Sequence, residues 1–373
     1  MPAFQIIGGL PSSLTNFRGD LMRAVMQSGY QVTAMAAPGD DKAAQDLESA
    51  GVRFRAFPVQ RNGLNPLTDL NSYSSLCKAF RDVNPDVAMA YTIKPVIWGG
   101  FASKKADACR FFALVTGLGF AFQDGGIAKK VLCYGVCWLY RRSLKNAEGV
   151  IFQNNDDRDT FIKKRIVPAN KCHVVNGSGV NTEKFSVSPL QDGPPRFLII
   201  ARLLKDKGIR EFHTAAQIVR EKFPSAEFEI VGPEDNSSNG IPIEEIQGWR
   251  DEKTVQYSGS TTDVRPYISN CHVFVLPSYY PEGLPRTLLE ATAMGRPILT
   301  TDTPGCRETV ESGVNGFMVP KQDAAALAER MIWFIENRDK WQSMGDASRK
   351  IAEDKFDVHK VNAEMLRIMG IQS

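Results

Sequence analysis

Ser278-Tyr-Tyr-Pro-Glu282-Gly-Leu-Pro285-Arg-Thr-Leu-Leu-Glu290-Ala, then Gly295-Arg-Pro-Ile-Leu-Thr-Thr-Asp302-Thr-Pro-Gly305-Cys-Arg-Glu308, then Gly313 to Pro320, is the stretch whose reading decides the fold. Just upstream, His272-Val-Phe-Val-Leu-Pro277 is a short apolar run and reads as a buried strand. Pro281 and Gly283 bracket a loop that carries Glu282. Pro285 suits the first turn of a helix, where its missing N–H costs nothing. That helix is expected to end at Gly295, with Pro297 to Thr301 as the next strand. Glu282 then stands at a strand's carboxyl end in front of a helix N-terminus, with Glu290 two turns down the helix. At about 1.5 Å per residue, eight residues span roughly 12 Å. Two acceptor carboxylates that far apart can hold two hydroxyl-bearing groups, and free backbone N–H groups between them can hold an anion. A sugar, a diphosphate and a ribose have that order and about that spread.

Upstream of this stretch lies a second constellation. Phe197-Leu-Ile-Ile-Ala reads as a strand, followed by Arg202-Leu-Leu-Lys-Asp-Lys207-Gly208 and a helix from Ile209 to about Lys222. A guanidinium and an ammonium between a strand and a helix N-terminus can neutralise a diphosphate. Glu227 to Val231 is a strand leading to Gly232, and Val255 to Gly259, with Ser258, leads to a loop. Both loops are expected to border a nucleotide base.

The 373 residues suffice for two domains, and 43% hydrophobic with 23% charged residues is a globular composition. No run of 18 apolar residues would span a membrane. The N-terminus enters a strand with no basic region ahead of an apolar one, so no secretory signal and a cytoplasmic location are expected. The seven Cys (77, 109, 133, 137, 172, 271, 306) are scattered, as reduced thiols would be. Cys133-x3-Cys137 has no second ligand pair nearby and reads as packed thiols rather than a metal site. Residues 1–185 hold 23 Lys and Arg against 15 Asp and Glu, a balance of +8, and residues 186–373 hold 22 against 27, a balance of −5. The basic half calls for an anionic partner.

From the N-terminus, Phe4 to Ile7 is a strand. Gly8-Gly9-Leu-Pro-Ser-Ser turns it into a helix from about Asn16 to Gln27, a turn able to cradle an anion but lacking the Gly-x-Gly-x-x-Gly dinucleotide pattern. Strands at 31–36, 52–59, 86–91 and 110–115 alternate with helices at 41–50, 66–81 and from Lys94. Such alternation implies parallel, doubly wound sheets with ligands at the strands' carboxyl ends. Thr116-Gly117-Leu-Gly-Phe-Ala-Phe122 follows one such end. Val150 to Gln153 is a strand, and Asp156-Asp-Arg-Asp159 opens a helix whose acids favour the dipole rather than a metal. Residues 186–195 read as the interdomain linker. Helices at 322–338, 340–355 and 358–369 close the chain.

Glu282-x7-Glu290 with Gly-Arg-Pro-Ile, Pro-Gly-Cys-Arg-Glu and the Arg202…Lys207-Gly208 element resembles the nucleotide-sugar site of family 4 retaining glycosyltransferases. The resemblance covers nearly the whole chain and implies the GT-B fold. That fold has two Rossmann-like domains, here 1–187 and 188–355, facing across a cleft. A C-terminal helix, 356–373, crosses back onto the first domain through Leu366, Ile368 and Met369. It implies Glu282, Arg202 and Lys207 as catalytic residues. It implies Gly8, Gly9, Gly232, Ser258, Gly283, Leu284, Pro285 and Glu290 as further donor-binding residues. Arg18, Lys94, Thr116 and Gly117 are the acceptor-side candidates, the last two in a loop similar to one in bacterial transferases that extend lipid-linked glycans. A UDP-sugar donor, a polyprenyl-diphosphate-linked sugar acceptor, no metal or other cofactor, and no nucleic acid are what the resemblance implies. None of the four His (173, 213, 272, 359) lies in the first domain's loops, where some members carry one. A same-face attack with the leaving phosphate taking the proton fits that pattern.

Residues 127–146 are apolar and aromatic with basic flanks. Between Lys94 and Lys145, nine basic residues face two acids, Asp107 and Asp124. A buried helix with snorkelling Lys and Arg is one reading, and docking on the cytoplasmic face of an anionic membrane is the other. Two other functional classes stay open on the sequence: a GT-B sugar-nucleotide epimerase, and a two-domain sugar-binding protein.

Overall fold

A computed structural model describes residues 1–59, 66–106, 108–123 and 125–372. Asp107 and Asp124 lie outside the described residues. The chain forms two compact units. The first comprises Met1–Ser178, Pro281–Gly283 and Val358–Ser373, and the second Gly179–Tyr280 and Leu284–Asp357.

The first unit is built on seven parallel strands: β1 (Ala3–Ile7), β2 (Gln31–Ala36), β3 (Arg53–Ala56), β4 (Val87–Tyr91), β5 (Arg110–Val115), β6 (Gly149–Phe152) and β7 (Cys172–Val174). They lie in the order β3-β2-β1-β4-β5-β6-β7. Alternation along the strands splits the core in two. Phe4, Ile6, Phe112 and Leu114 face one layer and Ile7, Phe111, Ala113 and Val115 the other. The helix Val358–Met369 completes the first layer with Val361, Met365, Leu366 and Met369, with Ile368 beside them. The final helix thus belongs to the first unit, as the GT-B resemblance implies.

The second unit has six parallel strands: β8 (Arg196–Ile200), β9 (Glu227–Val231), β10 (Gln256–Tyr257), β11 (Val273–Leu276), β12 (Ile298–Thr301) and β13 (Gly316–Val319), in the order β10-β9-β8-β11-β12-β13. One core runs through it, from Phe197 and Phe274 to Phe334 and Phe356.

Several expected boundaries move. The first helix spans Pro11–Gln27, with Pro11 in its first turn, and so starts five residues ahead of Asn16. The strand expected at 52–59 is only Arg53–Ala56. The chain passes between units at Ser178–Gly179, ahead of the Pro-rich stretch 186–195. Two anchors explain this. Val180 N–H donates to Phe356 O at 2.7 Å, and Thr182 Oγ1 donates to Asp357 Oδ2 at 2.9 Å. Arg296, of the Gly-Arg-Pro string, is wholly buried. It donates to the carbonyls of Ile268 (2.8 Å), Ser188 (2.9 Å) and Ser269 (3.0 Å) and to Ser188 Oγ (2.6 Å), clamping residues 188–189 into the second unit.

Candidate functional site

In an open parallel sheet, ligands bind beyond the strands' carboxyl ends where the strand order reverses. In the second unit that point lies between β8 and β11. The loop after β8 carries Arg202, Lys207 and Gly208, and the loop after β11 begins at Pro277. The two are laced together: Tyr279 N–H donates to Asp206 O at 2.8 Å and Ser278 Oγ to the same carbonyl at 3.3 Å. Gly208 adopts φ +73 ahead of the helix Ile209–Lys222, and a side chain there would collide with the Pro277 carbonyl. Glycine is therefore required on both counts, and it lets the two loops meet.

Lys207 closes a single tight turn, Lys205–Lys207, and is 8% exposed, with Nζ 5.6 Å from the Tyr280 ring centroid. Arg202 is more open, and its Nη1 pairs with Asp235 Oδ2 at 2.6 Å. Burial alone would raise the Asp235 carboxyl, but hydrogen bonds from Ser237 and the Arg202 charge hold it below its ordinary value. Both expected cations thus lie on the loop after β8, Arg202 already partnered by an acid that the sequence reading did not single out.

Glu290 sits in the helix Arg286–Ala293, buried, and accepts from Arg286 Nε at 2.8 Å. Burial raises its carboxyl above the ordinary value, and Arg286 and Lys184 pull it back only in part. The Arg286-x3-Glu290 spacing, one helical turn, was the sequence signal for this pair. Because the helix begins at Arg286, residues 282–285 are not helical, and the 12 Å figure for Glu282 to Glu290 does not apply. Pro285 is the residue just before the helix, and Leu284 is buried in the core.

The loops after β9 and β10 are internally committed. Tyr257 Oη donates to Gly232 O at 3.0 Å, and Gly232 N–H to Gly259 O at 2.8 Å. Ser258, expected to contact the donor, donates its hydroxyl to Glu229 Oε1 at 2.5 Å and its N–H to Ile230 O at 3.0 Å.

Glu282 belongs to the first unit through Pro281–Gly283. Gly283 N–H donates to Thr116 O and Gly119 N–H to Pro281 O, both at 3.0 Å. Gly117 has φ +117, and a Cβ on it would stand 2.6 Å from Glu282 Cα, so the two backbones lie in direct contact. Asn154 Nδ2 donates to Gly283 O at 3.2 Å. The Gly283 N–H that the sequence offered to an anion is thus spent on Thr116. Thr116 and Gly117, expected on the acceptor side, hold the Glu282 segment through their backbone. Asn154 also accepts from Asp157 N–H at 2.8 Å, which makes it the helix cap and explains the acids that follow it.

In the first unit the strand order reverses between β1 and β4. Gly8 and Gly9 follow β1. Tyr91 ends β4, its Oη 2.7 Å from Ser13 Oγ and its ring 5.1 Å from the buried Arg18 guanidinium. Lys94 pairs with Asp69 at 2.7 Å.

The helix Ile127–Ser143 has a buried face of Cys137, Tyr140 and Ser143. On its other side Ile127, Val131, Tyr134 and Trp138 are 82%, 65%, 73% and 46% exposed, one stripe at helical spacing. Arg142 lies 5.5 Å from the Trp138 ring, and Lys129 4.6 Å from that of exposed Phe120. The buried-helix reading therefore holds for one face only. Cys133 and Cys137 are free thiols with Sγ atoms 4.0 Å apart. Among the described residues no three His, Cys, Asp or Glu side chains are grouped to hold a metal ion, and no helix is long and apolar enough to cross a membrane.

Residues 15–177 match the family model described as a glycosyl transferase 4-like domain, and residues 180–351 the model described as glycosyl transferases group 1. The chain is 29% identical over 339 residues to the N,N'-diacetylbacillosaminyl-diphospho-undecaprenol alpha-1,3-N-acetylgalactosaminyltransferase of Campylobacter jejuni, covering 87% of each chain. It is 26% identical over 307 residues to the UDP-Gal:alpha-D-GlcNAc-diphosphoundecaprenol alpha-1,3-galactosyltransferase of Escherichia coli, covering 79% of this chain and 77% of that one. Among solved structures, Alr3699/HepE of Anabaena in complex with UDP superposes with a TM-score of 0.79 at 19% identity, over 99% of this chain and 100% of that one.

Proposed function

This chain belongs to the family 4-like glycosyltransferases with the GT-B fold, and we propose that it moves a hexose or N-acetylhexosamine from a UDP-sugar to a polyprenyl-diphosphate-linked sugar. The observation that carries the reading is the placement, on one unit, of Arg202 and Lys207 after β8 and of buried Glu290 after β11, in a chain two of whose relatives are named for diphospho-undecaprenol acceptors.

Charge builds on the departing diphosphate as the bond from the anomeric carbon to the phosphate oxygen breaks. Arg202 and Lys207 neutralise it, which lowers the barrier without a metal. Glu290 accepts hydrogen bonds from the ribose hydroxyls. Glu282 orients the donor sugar and stabilises the positive charge on its anomeric carbon, and Gly8 and Gly9 leave room for the ligand. The acceptor hydroxyl bonds to that carbon from the face the diphosphate leaves, and its proton passes to the leaving phosphate oxygen. The anomeric configuration is retained.

The stripe Ile127, Val131, Tyr134 and Trp138, bordered by Lys129, Lys130, Arg141 and Arg142, seats the protein on the anionic cytoplasmic face of the membrane that holds the acceptor.

A panel of UDP-sugars with a polyprenyl-diphosphate-linked acceptor, read by mass spectrometry, tests the reading. One donor is expected to give a product heavier by a single sugar. Turnover of the donor without acceptor would instead identify an epimerase. In Glu282→Gln, transfer is expected to fall roughly a hundredfold, about 3 kcal/mol of transition-state contact, while UDP affinity persists because UDP lacks the sugar.

A further inference from the structure

The crevice between β1 and β4 has two walls of opposite character. One is the Gly8–Gly9 step, where a side chain on Gly8 would collide with the Tyr91 phenol. The other is Tyr91–Thr92. Tyr91 is fixed and buried, and its burial pushes the phenol up to about 12. Thr92, its neighbour, is exposed, with φ 68 and ψ 157. That conformation is almost confined to glycine, and a β-branched residue is among the costliest occupants. Thr92 immediately precedes the helix Ile93–Ala102, yet its side chain makes no capping hydrogen bond to it. The Thr92 carbonyl accepts from Val96 N–H at 3.0 Å, as in any helix start, so the strain is not offset by a side-chain hydrogen bond to that helix.

The Thr92 hydroxyl has a definite neighbourhood. Its Oγ1 lies 3.6 Å from the position a Cβ on Gly9 would take. The space left by the missing side chain at position 9 is bordered by that hydroxyl. The nearby cations are engaged: Lys94 by Asp69, and Arg18 is buried against Tyr91. This wall suits an uncharged, hydroxyl-bearing ligand rather than a diphosphate.

We propose that Thr92 is a sugar-binding residue of the transfer reaction, its hydroxyl hydrogen-bonded to a sugar hydroxyl seated over Gly8 and Gly9. The inference rests on the transferase reading above. The sugar has two possible sources, the lipid-linked acceptor and the UDP-sugar.

The test uses the full chain with Thr92→Gly, Thr92→Ala and Thr92→Ser, each measured for Tm, UDP affinity, and kcat and KM for both substrates. Thr92→Gly relieves the strain and is expected to raise Tm by about 2–4 °C. Thr92→Gly and Thr92→Ala are expected to lower kcat/KM about tenfold with UDP affinity unchanged, and Thr92→Ser to restore most of the rate. A rise in KM confined to the lipid-linked substrate assigns the acceptor sugar, and one confined to the UDP-sugar assigns the donor. A parent chain that transfers sugar while all three variants keep pace overturns the inference alone, as does a Thr92→Gly protein that melts at or below the parent temperature. A parent chain that transfers no sugar overturns the transferase reading and this inference together.

Discussion

Arg202 Nη1 lies 2.6 Å from Asp235 Oδ2, so one of the two cations proposed to receive the diphosphate already holds an acid. The pair spans the loops after β8 and β9. It also places a carboxylate beside the proposed phosphate site, which makes the net electrostatic effect of the pair a measurable difference.

Arg202→Ala is expected to weaken UDP binding by about 1.5–3 kcal/mol, the value of a charged hydrogen bond to phosphate. Asp235→Asn removes the competing charge and is expected to keep UDP affinity at or above the parent level. Calorimetry on both variants decides. A loss in Asp235→Asn as large as in Arg202→Ala would mean that Asp235 aims Arg202 rather than competing for it.

Glu290 carries a pH signature. Its carboxyl is raised in the folded protein by burial, so the fold disfavours its charge. The sign follows: the stability is full below the ordinary carboxylate value and is lost as pH rises through the raised one. Glu290→Gln cannot ionise. Its Tm relative to the parent is therefore expected to climb as pH rises from the ordinary carboxylate value through the raised one and then level off, while its UDP affinity falls through loss of the ribose contact. A Tm difference that does not change with pH would remove the raised carboxyl from the account.

Arg296 contributes to folding rather than chemistry. Arg296→Met strands the carbonyls of Ile268, Ser188 and Ser269 inside the second unit. The expected cost is about 3 kcal/mol or more, a drop in Tm of roughly 6–12 °C. Arg265→Met, which breaks an exposed pair with Asp263, serves as the control and should shift stability by under about 1 kcal/mol.

Tyr134→Ser with Trp138→Ser is expected to abolish flotation with anionic liposomes while leaving the Tm of the chain unchanged, because both side chains stand outside the core. Parent binding should weaken at high salt, where screening shortens the reach of Lys129, Lys130, Arg141 and Arg142. Equal binding to neutral and anionic vesicles would contradict the electrostatic part of the proposal.

Local pattern settled much of this protein. The apolar runs at 197–200 and 273–276 with their flanking Gly and Pro, the Lys207-Gly208 step and the Arg286-x3-Glu290 spacing were all legible, because each depends on neighbours within a turn or two. The alternation of such elements made parallel sheets the expected architecture, and the family strings named the GT-B fold. Tertiary structure decided what depends on distant partners. Strand order placed the crevices between β8 and β11 and between β1 and β4. Asp235 reached Arg202 from 33 residues away, Thr116 took the Gly283 N–H, and Arg296 drew residues 188–189 into the second unit. The helix 127–143 shows the division most plainly: its composition fits a core or a surface equally well, and only the packing of Cys137 and Tyr140 inward left Tyr134 and Trp138 facing solvent. Burial and long-range hydrogen bonding are properties of the whole chain's closure, and no local window of sequence carries them.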